Sequence, residues 1–445
     1  MLTEPAVSQR SRRIAVRGWL AAVAVYFLAV LHRTSLGVAG LLAQHRFGIT
    51  PAQLSVFILM QLGLYAAMQV PAGVLVDRYG PRRLLIVAAV VMGTAQLLFA
   101  FVPSYPAALA ARALLGMGDA LTFISVLRYA AAHFSARRFP LLVALTAMAG
   151  TLGNVLATLP LSMLLHTLGW SVSFGGVAIL SLVAAAAVYA VMHDPTPRVE
   201  PIRSLAEVGA GITSVNRRVR SAWQLPGTRL GFWVHAACMS TPTAFGVLWA
   251  GPYLVRGAHF STTGAALVLM SGVIASAVVS PVFGALIGRR PSLRVPIGLS
   301  ICAITIVGWL VLIVFGSDTP PQPYVALLFV VMALGGPASM AAFALARDYN
   351  PATTLGTASG VVNVGGFATT IVIAVGMGVT LGLLGGTTPG NLRLSALVAV
   401  AVQLAAAVRV AVWYRRVRAF VLDRQALGLD VPVHAVRRRW DLAAA

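Results

Sequence analysis

The stretch GVLVDRYGPRR, Gly73 to Arg83, decides how the chain has to be read. It is a short basic turn with two glycines and one acid, set between two long apolar runs, about 52–76 and 84–103. Each run reaches the roughly 20 mostly apolar residues that a membrane-crossing helix needs. Ten-residue alternation of apolar and polar residues, the mark of a membrane β-barrel, is absent from them. Only helices and closed barrels satisfy their backbone in lipid, so the stretch reads as a tight connection between two spanning helices.

The rest of the chain has the same character. Of its 445 residues 59% are hydrophobic and only 10% are charged. A soluble domain carries roughly 25% charged residues, so this chain cannot clothe itself in a water-compatible surface and must be an integral membrane protein. The net charge of +22 is carried by 33 arginines with no lysine. They cluster in short stretches between apolar segments, which is the distribution of loops that set orientation rather than of a nucleic-acid surface. Both cysteines, Cys238 and Cys302, lie in apolar segments, so neither a disulfide framework nor a metal site is expected, and no cofactor. Arg10, Arg12, Arg13 and Arg17 precede an apolar run long enough to span, with no clear small-residue cleavage site; it reads as a retained first helix.

Twelve spans are expected, at about 18–42, 52–76, 84–103, 106–131, 140–165, 170–192, 229–254, 263–287, 295–316, 323–346, 354–384 and 391–414. The polar connection 193–228 divides them into six plus six, either as an amphipathic helix lying on the membrane or as a disordered basic linker. The organisation expected is a cytoplasmic tail 1–17, a bundle 18–192, the connecting loop 193–228, a second bundle 229–418 and a cytoplasmic tail 419–445. With both termini inside, the tails and inner loops hold 25 arginines, against three in the outer loops, Arg46, Arg256 and Arg393. That bias fixes the orientation. GALIGRRPSLR, Gly284 to Arg294, occupies in the second half the place of Gly73–Arg83 in the first, an internal repeat in which Gly288 replaces Asp77.

Of the eleven acids, Asp119 alone falls at membrane depth, near the middle of the fourth span. A central charge costs about 2.5–3.5 kcal/mol on insertion scales, so it needs a partner, a proton or a wet cavity. Burial and a neighbouring arginine push a carboxylate's proton affinity in opposite directions, so a site that alternates between them loads and releases a proton. Proton coupling and a static ion pair are the two readings of Asp119. Arg112 stands two turns away, about 10.5 Å along the axis, too far for direct contact. Arg33, at matching depth in the first span, is the better candidate partner. Its fork of donors also suits a carboxylate, which makes it the first candidate anchor for an anionic cargo. Arg112 either binds cargo or braces neighbouring segments. His32 titrates near neutral pH and is a second candidate proton carrier, or else a hydrogen-bonded core histidine. His235 reads as structural. Gln61, Tyr65 and Gln69 form one polar stripe, expected to face a central cavity. Asn154 is expected to pack against a neighbouring helix. Asn363 binds either cargo or a neighbour. Gly116 and Gly118 read as positions of close helix approach. Asp77 is expected at the positive N-terminus of the eleventh helix, near Pro351, with Arg128 beside it.

The set of motifs resembles the major facilitator superfamily. Gly73, Asp77, Arg78, Gly80, Arg82 and Arg83 match that family's loop between helices two and three, and RALLGMGDA resembles its fourth-helix motif. Finer likeness is to the branch that moves organic anions with protons or sodium, seen in YFLAVLHRTSLGVAG, in FGITPAQLSVF, in YAAMQVPAGVLVDRYGPRR and in SGVVNVGG. In that branch the first helix often carries an Asp-Arg pair; here Arg33 is kept and His32 takes the acid's place. Asp119 stands where the branch often has an acid, and Asn363 matches an eleventh-helix asparagine, which favours a cargo contact for it. The resemblance implies an all-α fold of twelve helices in two six-helix bundles with pseudo-two-fold symmetry, opening alternately to each side. It makes Asp77, Arg128 and the loop residues a cytoplasmic gate.

The function expected is proton-coupled uptake of a small organic anion; the alternative is proton-coupled export of drugs or metabolites. The absence of a Gly-Pro pair from the fifth span, AGTLGNVLATLPLSM, favours uptake. No H-E-x-x-H, G-x-S-x-G or P-loop occurs, so neither an enzyme nor an ATP-driven pump is expected. A monomer in the plasma membrane, of bacterial inner-membrane type, is expected, with the bilayer, protons and a small anion as its partners.

Overall fold

A computed structural model describes residues 9–193, 205–316 and 319–438. Parts of the expected tails and of the connecting loop lie outside the described residues. Among the described residues the regular structure is helical throughout, and ten helices are long and apolar enough to cross a membrane. The fold is the twelve-helix fold expected from the sequence.

The first span is Gln9–Thr34 continued by Leu36–Phe47. The second is Pro51–Tyr79 and the third Pro81–Phe101, separated by Gly80 at φ 82. Thr50 starts the second span with a reciprocal cap on Gln53. The fourth is Tyr105–Ala120 continued by Thr122–His133. The fifth begins as Phe139–Leu156 and runs on into Leu159–Val191, inside which Gly169 at φ 76 leaves the helical conformation and divides the fifth span from the sixth. The seventh is Pro226–Ala244, then two wide π-turns, Phe245–Trp249 and Tyr253–Gly257, around Ala250–Pro252. The eighth is Thr262–Arg289 and the ninth Arg294–Phe315. The tenth is Gln322–Ala333, Gly335–Ser339 and Ala341–Tyr349; the eleventh is Leu355–Leu383 and the twelfth Pro389–Ala426. In the connection between the halves, Leu205–Gln224 is a helix.

The helices cover the expected apolar runs, the first and twelfth extending beyond them, but five spans, the first, fourth, fifth, seventh and tenth, are interrupted where continuous helices were expected. Prolines at 242 and 252 lie at the π-turns of the seventh span, and Pro337 lies in the break of the tenth, where a missing N–H and a ring clash disturb the ladder. The first and fourth spans break at Ser35 and Leu121, with no proline.

The chain divides into two compact units. One takes the described residues of Met1–Ser135, Thr146–Val219 and Ala352–Gly360. The other takes those of Ala136–Leu145, Arg220–Pro351 and Val361–Ala445. Each has an aromatic cluster among the ends of its spans. In the first unit Phe47, Phe57, Phe99, Trp170 and Phe174 meet with ring centroids 4.6–6.1 Å apart. In the second, Phe245 stacks on Trp309 at 4.9 Å, with Tyr253 and Phe329 beside them. Such pairs add about 0.5–1.5 kcal/mol each beyond the area they bury.

Within the first unit Asp77 sits at the N-terminus of the eleventh helix. Its Oδ1 accepts from the Gly356 backbone N–H at 2.7 Å, and its Oδ2 from the Thr357 N–H at 2.7 Å and the Thr357 hydroxyl at 2.8 Å. Arg128 Nε lies 3.5 Å from Oδ1, an ion pair without hydrogen-bond geometry. The backbone can come this close because position 356 has no side chain: a Cβ there would lie 2.6 Å from the Gly73 carbonyl oxygen. Gly288, in the corresponding place of the second half, does a different job from the acid it replaces. A Cβ there would lie 2.2 Å from the Arg137 carbonyl oxygen, so the position is closed to any side chain. The acid of the second unit is elsewhere: Asp348, at the end of the tenth span, pairs with Arg294.

Candidate functional site

Arg33 and Asp119 meet inside the first unit. Arg33 Nε donates to Asp119 Oδ2 at 2.7 Å and Nη2 to Oδ1 at 2.7 Å, a two-pronged pair. The Asp119 side chain is wholly buried, whereas that of Arg33 remains 17% exposed. Tyr65 lies beneath the guanidinium, its ring centroid 4.3 Å from Arg33 Cζ, a contact worth up to about 2 kcal/mol when desolvated.

Local structure explains how two charges on different helices come to register. Two residues beyond Arg33, the hydrogen-bond ladder of the first span is interrupted at Ser35. The Thr34 hydroxyl donates back to the Val30 carbonyl at 2.9 Å and the Ser35 hydroxyl to the His32 carbonyl at 2.7 Å. Such back-bonding bends a helix. Two residues beyond Asp119 the fourth span is interrupted at Leu121, and Thr122 Oγ1 donates to the Asp119 carbonyl at 2.7 Å.

Arg112 fills the space these breaks create. It is 1% exposed, and its Nη1 donates to the His32 carbonyl at 3.3 Å while Nη2 donates to the Arg33 carbonyl at 3.4 Å and to Gln61 Oε1. Its guanidinium carbon stands 5.2 Å from the Phe99 ring centre. Arg112 thus holds the backbone that carries Arg33. Gln61 is brought to it because Gly116 lets the helices touch: a Cβ at 116 would lie 2.8 Å from the Gln61 carbonyl oxygen. The stripe Gln61, Tyr65 and Gln69 is buried at 2%, 2% and 0%. It packs inward, away from the lipid side.

His32 is buried and shares a hydrogen bond with Ser181 of the sixth span, Nε2 to Oγ, at 2.7 Å. In the second unit Asn363 Oδ1 lies 3.1 Å from His235 Nε2, both side chains buried. Asn154, expected to pack against a neighbour, is exposed instead. The residues that sequence reasoning missed are Ser181, Phe99 and Thr357. Thr34-Ser35 and Thr122 were the legible signals of the breaks, since hydroxyls next to a buried charge are candidates for back-bonding. The loop residues fall where the motif puts them: Arg82 Nη2 donates to the Tyr189 carbonyl at 2.7 Å, Arg78 lies over Tyr79 at 5.3 Å, and Arg83 is exposed. Among the described residues no cluster of three metal-ligating side chains occurs.

A buried ion pair on broken helices, inside a bundle of spanning helices, is the construction of a membrane transporter. The sequence profile of the Major Facilitator Superfamily matches residues 22–374, and the chain belongs to that family. It is 33% identical over 104 residues to a probable sulfoacetate transporter, SauU, of Cupriavidus necator, covering 23% of this chain and 24% of that protein. It is 25% identical over 298 residues to a probable galactarate/D-glucarate transporter, GudP, of Escherichia coli K12, covering 61% of this chain and 64% of that one. The matched segments therefore span less than two thirds of either relative. The fold is shared with the proton:xylose symporter XylE, at TM-score 0.63 and 16% identity over 89% of this chain and 95% of that one. It is shared also with FucP, at TM-score 0.64 and 14% identity over 89% and 99%.

Proposed function

We propose that the protein takes up a small organic anion together with protons, by alternating access of two six-helix bundles, 18–192 and 229–418. The observation that carries the reading is the two-pronged Arg33–Asp119 pair, in which the Asp119 side chain is wholly buried and that of Arg33 is not. A carboxylate or sulfonate cargo presents the same pair of oxygens that Asp119 now presents, so it competes for the same fork. Asp119, once displaced, is left buried without a counter-charge and takes a proton. Cargo and proton therefore load together. Asp119 is the proton carrier; His32, with Ser181 already on its ring, is the lesser candidate. Tyr65 positions Arg33, and Gln61 and Arg112 hold its backbone in place. Asn363 is a further cargo contact in this reading. Gly73, Asp77, Arg78, Gly80, Arg82, Arg83 and Arg128 form the gate on the arginine-rich side, which is the cytoplasmic one. The acids named for the SauU and GudP relatives support an anionic cargo.

The test is counterflow in proteoliposomes with a panel of small carboxylates, sulfonates, sugars and lipophilic cations, with and without a pH gradient. Anions are expected to exchange without a gradient and to accumulate only when the outside is acid. Movement of lipophilic cations with no movement of anions would establish an exporter instead.

A further inference from the structure

On the lipid-facing side of the second unit two exposed arginines, one at membrane depth and one just beyond the end of the span, have no acid to answer them. Arg409 and Arg416 lie on the twelfth span, Pro389–Ala426, both exposed, in a run of helix that has no acidic residue before Asp423. The seventh span, Pro226–Ala244, has none either. Spaced i and i+7, the two arginines share one face about 10.5 Å apart along the axis. Trp413 lies between them on that face. The side chains flanking Arg409 are hydrocarbon facing outward: Leu404 is 49% exposed, Val408 53% and Val412 36%. This is the composition of a helix surface against acyl chains, and Arg409 sits within it.

Among the described residues, neither guanidinium has a hydrogen-bond or ion-pair partner; their contacts are with indole rings. Arg409 lies 5.4 Å from the Trp233 ring centre and Arg416 4.7 Å from that of Trp413. On its other side Trp413 receives Arg229 at 4.8 Å, whose Nε is spent on the Trp223 carbonyl at 2.6 Å. Arg229 thus adds charge to the patch but no free fork. An arginine facing acyl chains is costly unless its head reaches a polar partner. Arg409 is below the level of the span's end and reaches outward; Arg416 is beyond it and reaches back. Tryptophan indoles belong at this depth, where ring meets headgroup.

We propose that Arg409 and Arg416 clamp the phosphate of one anionic phospholipid, in the leaflet on the arginine-rich side, with the half-buried Trp233 against its glycerol backbone. The occupant is an acidic lipid whose headgroup carries no ammonium, of the phosphatidylglycerol class. A choline or ethanolamine headgroup would place a cation among three arginines.

The full chain, reconstituted in phosphatidylcholine vesicles, is titrated with phosphatidylglycerol brominated on its acyl chains, and separately with brominated phosphatidylcholine. Tryptophan fluorescence quenching reports the lipid at the patch, and Trp233→Phe identifies the part of the signal that comes from there. Roughly 1 kcal/mol per surface arginine corresponds to about fivefold each, so a preference of about thirtyfold for the acidic lipid is expected. Arg409→Gln with Arg416→Gln abolishes it. Arg416→Gln alone, at an exposed position of the helix, loses about fivefold, and Arg256→Gln in an outer loop changes nothing. Equal quenching by the two lipids overturns the proposal, as does a preference that survives both substitutions. Loss of the preference on adding inorganic phosphate also overturns it, since the site would then bind phosphate from water and not a lipid.

Discussion

Asp119 and Arg33 were identifiable one residue at a time, because charge at membrane depth is rare and the two depths match. If the proposed coupling is right, Asp119→Asn keeps the shape of the carboxyl group but removes its titration. Counterflow of the anion is expected to persist, while accumulation driven by an acid-outside gradient falls to the level of vesicles without protein. Undiminished accumulation in the variant would take Asp119 out of the mechanism. What the sequence did not reveal is Arg112's occupation. Spacing said only that it could not touch Asp119; its acceptors are carbonyls freed by a break at Ser35, and backbone acceptors have no residue signature. Arg112→Met is therefore expected to lower stability by about 2–4 kcal/mol, since buried acceptors lose charge-assisted bonds worth about 1.5–3 kcal/mol each. Thermal unfolding of the purified protein in detergent measures it. Arg112→Lys separates the roles: a bracing residue shows mainly as lost stability, a cargo contact mainly as a raised KM.

At the scale of the element, the helices were legible and their interruptions were not. Apolar length located the spans, but a hydropathy run is blind to whether the ladder inside it is continuous. The breaks at Ser35 and Leu121 each fall two residues beyond a member of the ion pair, so the irregular backbone and the buried charges belong to one arrangement. The second-half loop shows the complementary limit. Matching Gly288 to Asp77 showed only that the acid is lost from the second copy, yet the glycine is there because the Arg137 carbonyl occupies the space. Gly288→Asp, which restores the first-half motif on paper, is thus expected to destabilise, as is Gly288→Ala, the latter by about 1–3 kcal/mol for an overpacked contact. Gly63→Ala, where nothing lies within 4 Å, is the control. It is expected to be neutral or to gain about 0.4–1 kcal/mol from the unfolded state. A Gly288→Ala protein as stable as the parent would mean that the close approach at Arg137 is not held.

For the whole molecule the governing quantity is the placement of arginine. The 33 arginines face 11 acids, and three of those acids, Asp77, Asp119 and Asp348, are engaged with arginine inside the fold. Surface acids are thus few, and orientation rests on basic residues in short loops, which retain their side of the membrane whatever the folded interior does. Both termini and the connecting helix Leu205–Gln224 are accordingly expected on the cytoplasmic side. Fusions of a fluorescent reporter that matures only in the cytoplasm, and of a phosphatase active only outside, distinguish the two faces. The fluorescent fusion is expected to work at the C-terminus and in the connection, and the phosphatase in the outer loop around Arg256. The twelve-span count is tested by the same set: a span too many or too few between the connection and the C-terminus would put those two fusions on opposite sides. Replacing Arg289 and Arg290 with glutamine lowers the basic charge of one inner loop only and leaves the Arg294–Asp348 pair intact. Because the bias is spread over several loops, the orientation is expected to hold, whereas a protein oriented by that loop alone would invert its second half.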